Sequence, residues 1–186
     1  MAKVIFLRHG EPDYSKVTQL RYKGHGRDLA QLSENGVRQA QSVAEDTRLK
    51  GAELILSSPY TRALQTAAII SKENNLDMAV VTELHEWLPD LTFSYDSEIT
   101  VQNAARSLAY NKGECPEHYQ PKYETLESVF NRVKSALLPY LKYDKIIVVC
   151  HGFVMRQFKY VPNIEYCGIL EVEIDENFKW GGFVEH

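Results

Sequence analysis

The chain has 186 residues, enough for one domain with a substantial core and close to the lower limit for two. Its composition, 44% hydrophobic and 25% charged, is that of an ordinary soluble globular protein, and no stretch approaches the roughly 20 apolar residues of a membrane span. The formal net charge of −4 argues against a general nucleic-acid binder, which normally carries a basic excess. We therefore predict a single domain over 1–186 with neither nucleic acid nor membrane as a partner.

The cysteines and the N-terminal segment indicate a cytoplasmic location. Cys115, Cys150 and Cys167 are odd in number and widely spaced, which fits neither a disulfide framework nor a zinc site. The N-terminal apolar run covers only residues 4–7 and has no cleavage-like site after it, so we expect no secretory signal peptide. The sequence makes no prediction of oligomeric state.

The first predicted element is a buried strand over residues 4–7, which ends abruptly in Arg8, His9 and Gly10. In open α/β sheets, ligands bind beyond the carboxyl ends of the strands. This strand therefore delivers a cation, an imidazole and a flexible backbone to a crevice.

Residues 11–32 have no clean period, which predicts a long loop, and long loops in compact domains are often functional. A helix follows, with Ser33 as its N-cap and a stripe of apolar residues at helical spacing. The polar and aromatic residues on the loop are candidates for contacting the substrate beyond its reacting group; they are Tyr14, Arg21, Lys23, His25 and Arg27.

The next predicted unit is a strand over residues 53–57 followed by a helix. Ser58 and Pro59 predict the start of that helix, as a hydroxyl cap and a proline at the first helical position, and it runs to about Glu73. Arg62 then falls in the first helical turn. A third strand covers residues 78–82, and Glu86 follows at its end.

Residues 88–124 form a cap-like insertion that is irregular apart from one predicted helix over 98–110. The segment is rich in tyrosine, and we keep two interpretations of it open. It is either a cap over the cleft, with Tyr95 and Arg106 contacting the substrate, or a surface excursion with its own small aromatic cluster.

The last third of the chain predicts a long helix from the N-cap Thr125 to about residue 141, with Pro139 as a kink or in its last turn. A strand over 145–150 ends in His151 and Gly152, and a helix over 153–160 follows. The alternation in 169–175 and 178–183 predicts a hairpin. Strands alternating with helices predict a three-layer α/β/α sandwich with a mostly parallel central sheet.

Four separate strands thus place reactive side chains at one edge of the sheet. Two arginines and two histidines around one point, beside helix N-termini, make a local anion site on an acidic chain, and phosphate suits guanidinium groups best. An imidazole there can attack phosphorus, and a nearby carboxyl can protonate the leaving oxygen and then activate water. The residues that we expect to converge are Arg8, His9, Arg62, Glu86 and His151.

This scheme calls for no metal and no cofactor. The arginines and a protonated second histidine can stabilise the phosphoryl oxygens, which is the role of Mg²⁺ in many phosphoryl transfers. The sequence contains no carboxylate cluster that argues otherwise.

Three segments together resemble the histidine phosphatase superfamily, which has the phosphoglycerate mutase-like fold. They are Leu7-Arg8-His9-Gly10-Glu11, the run Ser57–Ala67 (SSPYTRALQTA), and Cys150-His151-Gly152. The Arg-His-Gly triplet alone is a weak signal, but the three segments together are highly specific. The first predicted helix, beginning Leu32-Ser33-x-x-Gly36, also matches the family.

The resemblance implies a role for each matched residue. His9 becomes the phosphorylated nucleophile, and Arg8, Arg62 and His151 bind the phosphoryl group. The general acid falls on Glu86, with Glu83 as its competitor. Further candidates for substrate binding are Gly152, Arg21 and Ser15.

Two departures from the family pattern lie where family members contact substrate. Trp87-Leu88-Pro89 follows Glu86 in place of a Gly-x-Trp-Glu-Gly element, and Pro12-Asp13-Tyr14-Ser15 stands where many members carry an asparagine. The substrate is therefore not carried over from the family. A phosphorylated sugar or other small metabolite, a phosphoamino acid and a phosphopeptide are all compatible with the sequence.

The leading functional hypothesis is a metal-independent phosphatase that hydrolyses a phosphomonoester through a phosphohistidine. Two alternatives stay open: a phosphotransferase or mutase of the same fold, and a non-catalytic phosphate-binding module.

Overall fold

A computed structural model describes residues 1–184 of the chain. Its strands in chain order are β1 (Ala2–Arg8), β2 (Pro12–Asp13), β3 (Gln31–Leu32), β4 (Leu54–Ser57), β5 (Met78–Val80), β6 (Lys145–Cys150) and β7 (Ile169–Ile174). The central sheet has the order β5-β4-β6-β1-β7, in which only β7 is antiparallel to its neighbour. β2 and β3 pair separately.

The helices are α1 (Ser15–Gln19), α2 (Glu34–Ala44), α3 (Thr61–Asn74), α4 (Glu98–Tyr110), α5 (Leu126–Leu137) and α6 (Gly152–Arg156). α2 and α3 contribute to the apolar cluster on one face of the sheet, and α4, α5 and α6 contribute to the cluster on the other. The predicted three-layer α/β/α sandwich with a mostly parallel sheet is therefore confirmed.

The central strand β1 is buried on both of its faces. Val4 and Phe6 pack towards α5 and α6, whereas Ile5 and Leu7 pack towards α3. Such continuous apolar runs are typical of parallel strands covered by helices on both sides. The strand therefore holds its carboxyl end rigidly in the middle of the sheet.

Strand register explains why distant histidines become neighbours. β1 and β6 pair in parallel with Arg8 opposite Cys150, so the next residues, His9 and His151, leave the sheet side by side. The His9 N–H donates to the Cys150 carbonyl at 3.1 Å, which extends the pairing one residue further. The sheet itself thus builds the centre of the site.

Glycine is required where the chain leaves β1. A Cβ on Gly36 would lie 2.1 Å from the Glu11 carbonyl oxygen, and one on Gly10 would lie 2.6 Å from the Gly36 carbonyl oxygen. Ser33, the predicted N-cap of α2, accepts from the Gly36 N–H at 2.9 Å and donates to the Glu11 carboxylate at 2.6 Å. The exit of β1 and the first turn of α2 are thereby packed backbone against backbone.

Several predicted boundaries were wrong for identifiable reasons. The predicted loop over 11–32 contains α1, which is too short to show a period and buries only Val17. α3 begins at Thr61 rather than at Ser58, although Arg62 still lies in its first turn. α6 ends at Arg156, whose side chain donates to the carbonyls of the turn that follows, at residues 161 and 162. The predicted N-cap Thr125 and the helix over 98–110 are confirmed.

The second strand of the predicted C-terminal hairpin does not form within residues 178–183. The alternation there reflects side-chain packing instead. Phe178 packs against the rings of Phe130 and Phe158, and Trp180 donates to the Gln157 side chain at 3.3 Å. This segment covers α5 and α6 rather than extending the sheet.

The insertion over 88–124 is joined both to the core and to the early loop. Tyr123 is buried in the main apolar cluster. At the other end, Asp96 and Glu98 form ion pairs with Lys23 (3.3 Å) and Arg27 (2.8 Å). Its interpretation as a cap remains a prediction.

Two further properties bear on the predictions from sequence. The three cysteines are free thiols. None of the helices in residues 1–184 has the length and apolar character needed to span a bilayer.

Candidate active site

His9, directly after β1, is a buried and neutral imidazole. Its Nδ1 lies 2.7 Å from the Gly10 carbonyl oxygen, which can only accept, so Nδ1 carries the hydrogen. The other ring nitrogen, Nε2, is left with its lone pair and accepts from Arg62 Nε at 3.2 Å. Burial, followed by the nearby charge of Arg62, lowers the pKa of His9 from 6.5 to about 3. The ring is therefore held in the form that a nucleophile requires.

Arg62, in the first turn of α3, contacts both histidines of the site. Besides His9, its guanidinium contacts Asp28 Oδ1 at 3.0 Å and His151 Nδ1 at 3.5 Å, and the residue is only 5% exposed. Asp28 lies on a 3-10 turn, Gly24–Leu29, that the sequence indicated only as loop. A single carboxylate on a predicted loop carries no local signal, so its contact with Arg62 was missed.

His151, directly after β6, is also a neutral imidazole in this structure, and the expectation of a protonated second histidine on a bound phosphoryl group remains a prediction. Its Nδ1 faces the guanidinium of Arg62, which can only donate, so the hydrogen lies on Nε2 and is donated to Ser58 Oγ at 2.7 Å. Burial, then the charge of Arg62, holds the pKa of His151 well below 6.5. Ser58 was predicted as a helix cap, but its hydroxyl orients this ring. The centroids of the His9 and His151 rings are 5.2 Å apart.

Arg8, the last residue of β1, presents an unused donor to the same site. Its NH1 donates to the Ile164 carbonyl, and the guanidinium carbon lies 4.3 Å from the centroid of the Tyr166 ring. Its Nε is buried and has no hydrogen-bond partner. A Cβ on Gly152 would lie 4.0 Å from that Nε, so the start of α6 lies beside it. A buried unpaired donor of a cation indicates a place for an anion.

Glu86 follows the 3-10 turn Thr82–Leu84 at the end of β5. Burial raises its pKa, against the opposing effects of the Trp87 N–H, which donates to Oε1 at 2.9 Å, and of the nearby Arg62 charge. Glu83, its competitor, is exposed. Of the two carboxyls, Glu86 is the partly buried one, and the charge of Arg62 acts on it.

A buried ion pair holds the backbone on both sides of Glu86. Arg132, on α5, contacts both carboxylate oxygens of Glu124 at 2.6 and 3.1 Å, and donates to the carbonyls of Glu83 and Glu86. Glu124 in turn accepts from the Leu88 N–H at 3.2 Å. The pair was not anticipated, because its members come from the end of the insertion and the middle of a helix and meet only in the fold.

The remaining predicted residues lie further out. Ser15 and Arg21 are both exposed, and their backbone N–H groups bond within their own segment, to Asp13 and Thr18. Arg106 is exposed on α4. Arg27 and Tyr95 line a cavity of about 400 Å³ beside the site. The structure thus joins His9, Arg62 and His151 by hydrogen bonds and places Arg8 and Glu86 near enough for charge interactions with them, while Ser15 and Arg21 stay outside this group.

Among residues 1–184, no group of three or more histidine, cysteine, aspartate and glutamate side chains is arranged to hold a metal ion. The expectation that the reaction needs no metal remains a prediction.

Fold and site together define a phosphoglycerate mutase-like α/β protein with a cluster of arginine and histidine side chains at the carboxyl edge of its sheet. The family model of the histidine phosphatase superfamily (branch 1) matches residues 4–176. The chain belongs to this superfamily.

Two relatives of this chain are named for different activities. It is 29% identical to a protein of Proteus mirabilis named "Probable phosphoglycerate mutase GpmB", over 83% of this chain and 72% of that one. It is 28% identical to "Phosphoserine phosphatase 1" of Hydrogenobacter thermophilus, over 97% and 82% of the two chains.

A solved structure confirms the fold. The mycobacterial glucosyl-3-phosphoglycerate phosphatase in complex with inorganic phosphate superposes with a TM-score of 0.68 at 20% identity, covering 100% of this chain and 97% of that one.

Proposed function

We propose that this protein is a phosphatase that hydrolyses a phosphomonoester through a phosphohistidine at His9. The observation that carries the proposal is the state of that ring. Its Nδ1–H is fixed by the Gly10 carbonyl, and its Nε2 lone pair faces Arg62 in a pocket where a further cation, Arg8, has a free buried donor. A neutral, oriented imidazole beside two guanidiniums is the arrangement that attack on a phosphoryl group requires.

In the first step, His9 Nε2 attacks phosphorus and the P–O bond to the leaving group breaks. The leaving oxygen takes a proton from the carboxylic acid of Glu86, whose raised pKa favours the protonated form needed for this role. Arg8, Arg62 and His151 bind the phosphoryl oxygens. The leaving group departs as a neutral alcohol or phenol, and the phosphoryl group remains on nitrogen.

In the second step, the Glu86 carboxylate accepts a proton from water, and the water oxygen attacks phosphorus. The P–N bond breaks, inorganic phosphate leaves, and both His9 and Glu86 return to their starting protonation states. A single carboxyl can serve both steps because it loses a proton in the first and regains one in the second.

The relatives support this reading without deciding the substrate. One is named a phosphoserine phosphatase, and the mycobacterial phosphatase of similar fold was solved with inorganic phosphate. We propose a phosphorylated small molecule or phosphopeptide as substrate. The free thiols of Cys115, Cys150 and Cys167 fit a reducing cytoplasm, which is the location we propose.

The direct test is hydrolysis of p-nitrophenyl phosphate in the presence of a chelator. We expect turnover by the wild-type protein and none by a folded His9→Ala variant, because His9 carries the intermediate. His118→Ala is the matched control, since His118 is an exposed histidine of the insertion and should leave turnover unchanged. Equal activity in the His9→Ala and wild-type proteins contradicts the proposal. Wild-type protein inactive on a broad panel of phosphomonoesters would indicate a non-catalytic phosphate-binding module instead.

A mutase or phosphotransferase is the second candidate, favoured by the name of the Proteus mirabilis relative. It shares the first step and differs in the acceptor of the phosphoryl group. Labelled phosphate that passes to an alcohol or second phosphoester, rather than to water, would identify it.

A further inference from the structure

The turn at residues 165–168 returns to the end of β1 and is fixed against it. A hydrogen bond of 2.8 Å joins the last N–H of the turn to its first carbonyl, and Cys167 takes the left-handed conformation with φ 58°. The Cys167 N–H donates to the His9 carbonyl at 3.3 Å, and the last carbonyl of the turn accepts from the Arg8 N–H at 3.0 Å. The other central residue of the turn, Tyr166, is thereby held beside Arg8 and His9.

The ring of Tyr166 lies against both a cation and an imidazole of the site. Its centroid is 4.3 Å from the guanidinium carbon of Arg8 and 5.7 Å from the centroid of the His9 ring. A guanidinium this close to an aromatic face is attracted to it, and the contact restrains its orientation. Tyr166 belongs to none of the three apolar clusters of the described core, so its ring packs on the site and not in the core.

The guanidinium of Arg8 depends on an aromatic neighbour more than that of Arg62 does. Arg62 lies 5.0 Å from the centroid of the Tyr60 ring, but it also forms an ion pair with Asp28 at 3.0 Å. Within the described part of the chain, no carboxylate forms an ion pair with Arg8, and its side chain donates only to the Ile164 carbonyl. A single carbonyl fixes one end of a guanidinium, so the aromatic face sets the direction of the remaining donors.

We propose that Tyr166 is a positioning residue for phosphoryl binding, whose ring aims the Nε–H of Arg8 at the phosphoryl oxygens. The proposal rests on the function proposed above. Arg8 Nε is buried and has no hydrogen-bond partner within residues 1–184, so a small rotation of the guanidinium would turn this donor away from a bound anion. The Tyr166 hydroxyl forms no hydrogen bond within the same residues, so the aromatic face and not the hydroxyl carries this role.

Substitutions at position 166 separate the ring from the hydroxyl. With p-nitrophenyl phosphate, we expect Tyr166→Phe to keep kcat/KM within about twofold of wild type, and Tyr166→Leu, which has no aromatic face, to lower it about tenfold. Most of the loss should appear in KM, because Arg8 binds the phosphoryl group both before and during the reaction. Tyr110→Leu, at an exposed position of α4, is the matched control and should leave kcat/KM unchanged. Unchanged kcat/KM in a folded Tyr166→Leu protein, or an equal loss in Tyr166→Phe, overturns the inference.

A double variant tests whether Tyr166 acts through Arg8. In an Arg8→Gln background, the further change Tyr166→Leu should alter kcat/KM by less than about twofold, because no cation remains for the ring to hold. A loss of about tenfold that persists in that background would show that the ring acts elsewhere, for example on His9, and would overturn the assignment.

Binding of inorganic phosphate distinguishes failure of this inference from failure of the proposed function. Calorimetry should give a dissociation constant about tenfold higher in Tyr166→Leu than in wild type, and within about twofold of wild type in Tyr166→Phe. A wild-type protein inactive on every ester overturns the proposed function, and the phosphate constants then still decide the role of Tyr166. Equal phosphate binding by wild type and Tyr166→Leu overturns the inference alone. If circular dichroism shows that Tyr166→Leu does not fold, Tyr166→Met supplies the same comparison.

Discussion

Replacing Arg132 by methionine should destabilise the fold strongly. Methionine keeps much of the apolar stem but removes the charge that neutralises Glu124, which is 4% exposed and would be left buried without its partner. Removing one member of a buried ion pair typically costs about 3–5 kcal/mol, because the remaining charge is desolvated and unpaired. Two carbonyl acceptors, at residues 83 and 86, also lose their donor.

Urea denaturation of the wild-type and variant proteins measures this effect, with far-ultraviolet circular dichroism as the signal. We expect Arg132→Met to lower the free energy of unfolding by about 3–5 kcal/mol. The double variant Glu124→Gln/Arg132→Met should recover part of that loss, because no buried charge remains unpaired. Arg106→Met, an exposed arginine on α4, should stay within about 0.5 kcal/mol of wild type.

The same variant tests how Glu86 is positioned. Because Arg132 holds the backbone at Glu83 and Glu86, its loss should slow hydrolysis of alkyl phosphates, which need the acid, more than hydrolysis of p-nitrophenyl phosphate. An Arg132→Met protein within about 0.5 kcal/mol of wild-type stability, with unchanged preference among leaving groups, would refute the reasoning.

Three further predictions concern protons. Glu86→Gln should depress hydrolysis of esters with poor leaving groups far more than that of activated aryl phosphates; if Glu83→Gln shows this selectivity instead, the acid is misassigned. Because the folded-state pKa of His9 is about 3, the unfolded chain takes up a proton below pH 6.5 that the folded chain does not. As the pH is lowered from about 6.5 to 4, the free energy of unfolding should therefore decrease more steeply in wild type than in His9→Gln, by at most about 1.4 kcal/mol per pH unit. Equal slopes in the two proteins would contradict the buried neutral ring. Phosphate bound beside His151 Nδ1 needs a hydrogen on that nitrogen, so we expect binding near pH 6.5 to take up protons. Calorimetry in buffers of different ionisation enthalpy measures this uptake, which should be smaller in a folded His151→Asn variant. Equal uptake by the two proteins would count against His151 as the group that is protonated.

The parts of the site that local sequence could predict are those set by strands and their ends. Apolar runs in 4–7 and 145–150 identify central strands, and parallel pairing then brings His9 and His151 together. The roles assigned to the residues that meet there still await measurement. The hydroxyl caps Ser33 and Thr125 likewise mark helix starts, because the cap bond is local.

The parts that could not be predicted depend on contacts that form only when separate segments of the chain pack together. The bond from His151 to Ser58 overrides a local signal, since Ser-Pro alone predicts a helix cap. The contact of Asp28 with Arg62 and the pair of Glu124 with Arg132 have no local signature at all. The false strand at 178–183 shows the same limit, because alternating side chains pack on a helix layer as well as on a sheet.

The most direct test of the central claim is to trap the covalent intermediate. Wild-type protein is mixed rapidly with excess p-nitrophenyl phosphate and quenched in alkaline detergent, under which phosphohistidine survives, and the intact mass and proteolytic peptides are then measured. We predict the addition of one phosphoryl group, on the peptide that contains His9, and none in His9→Ala. A phosphoryl group on another residue, or continued turnover by folded His9→Ala, would contradict the mechanism.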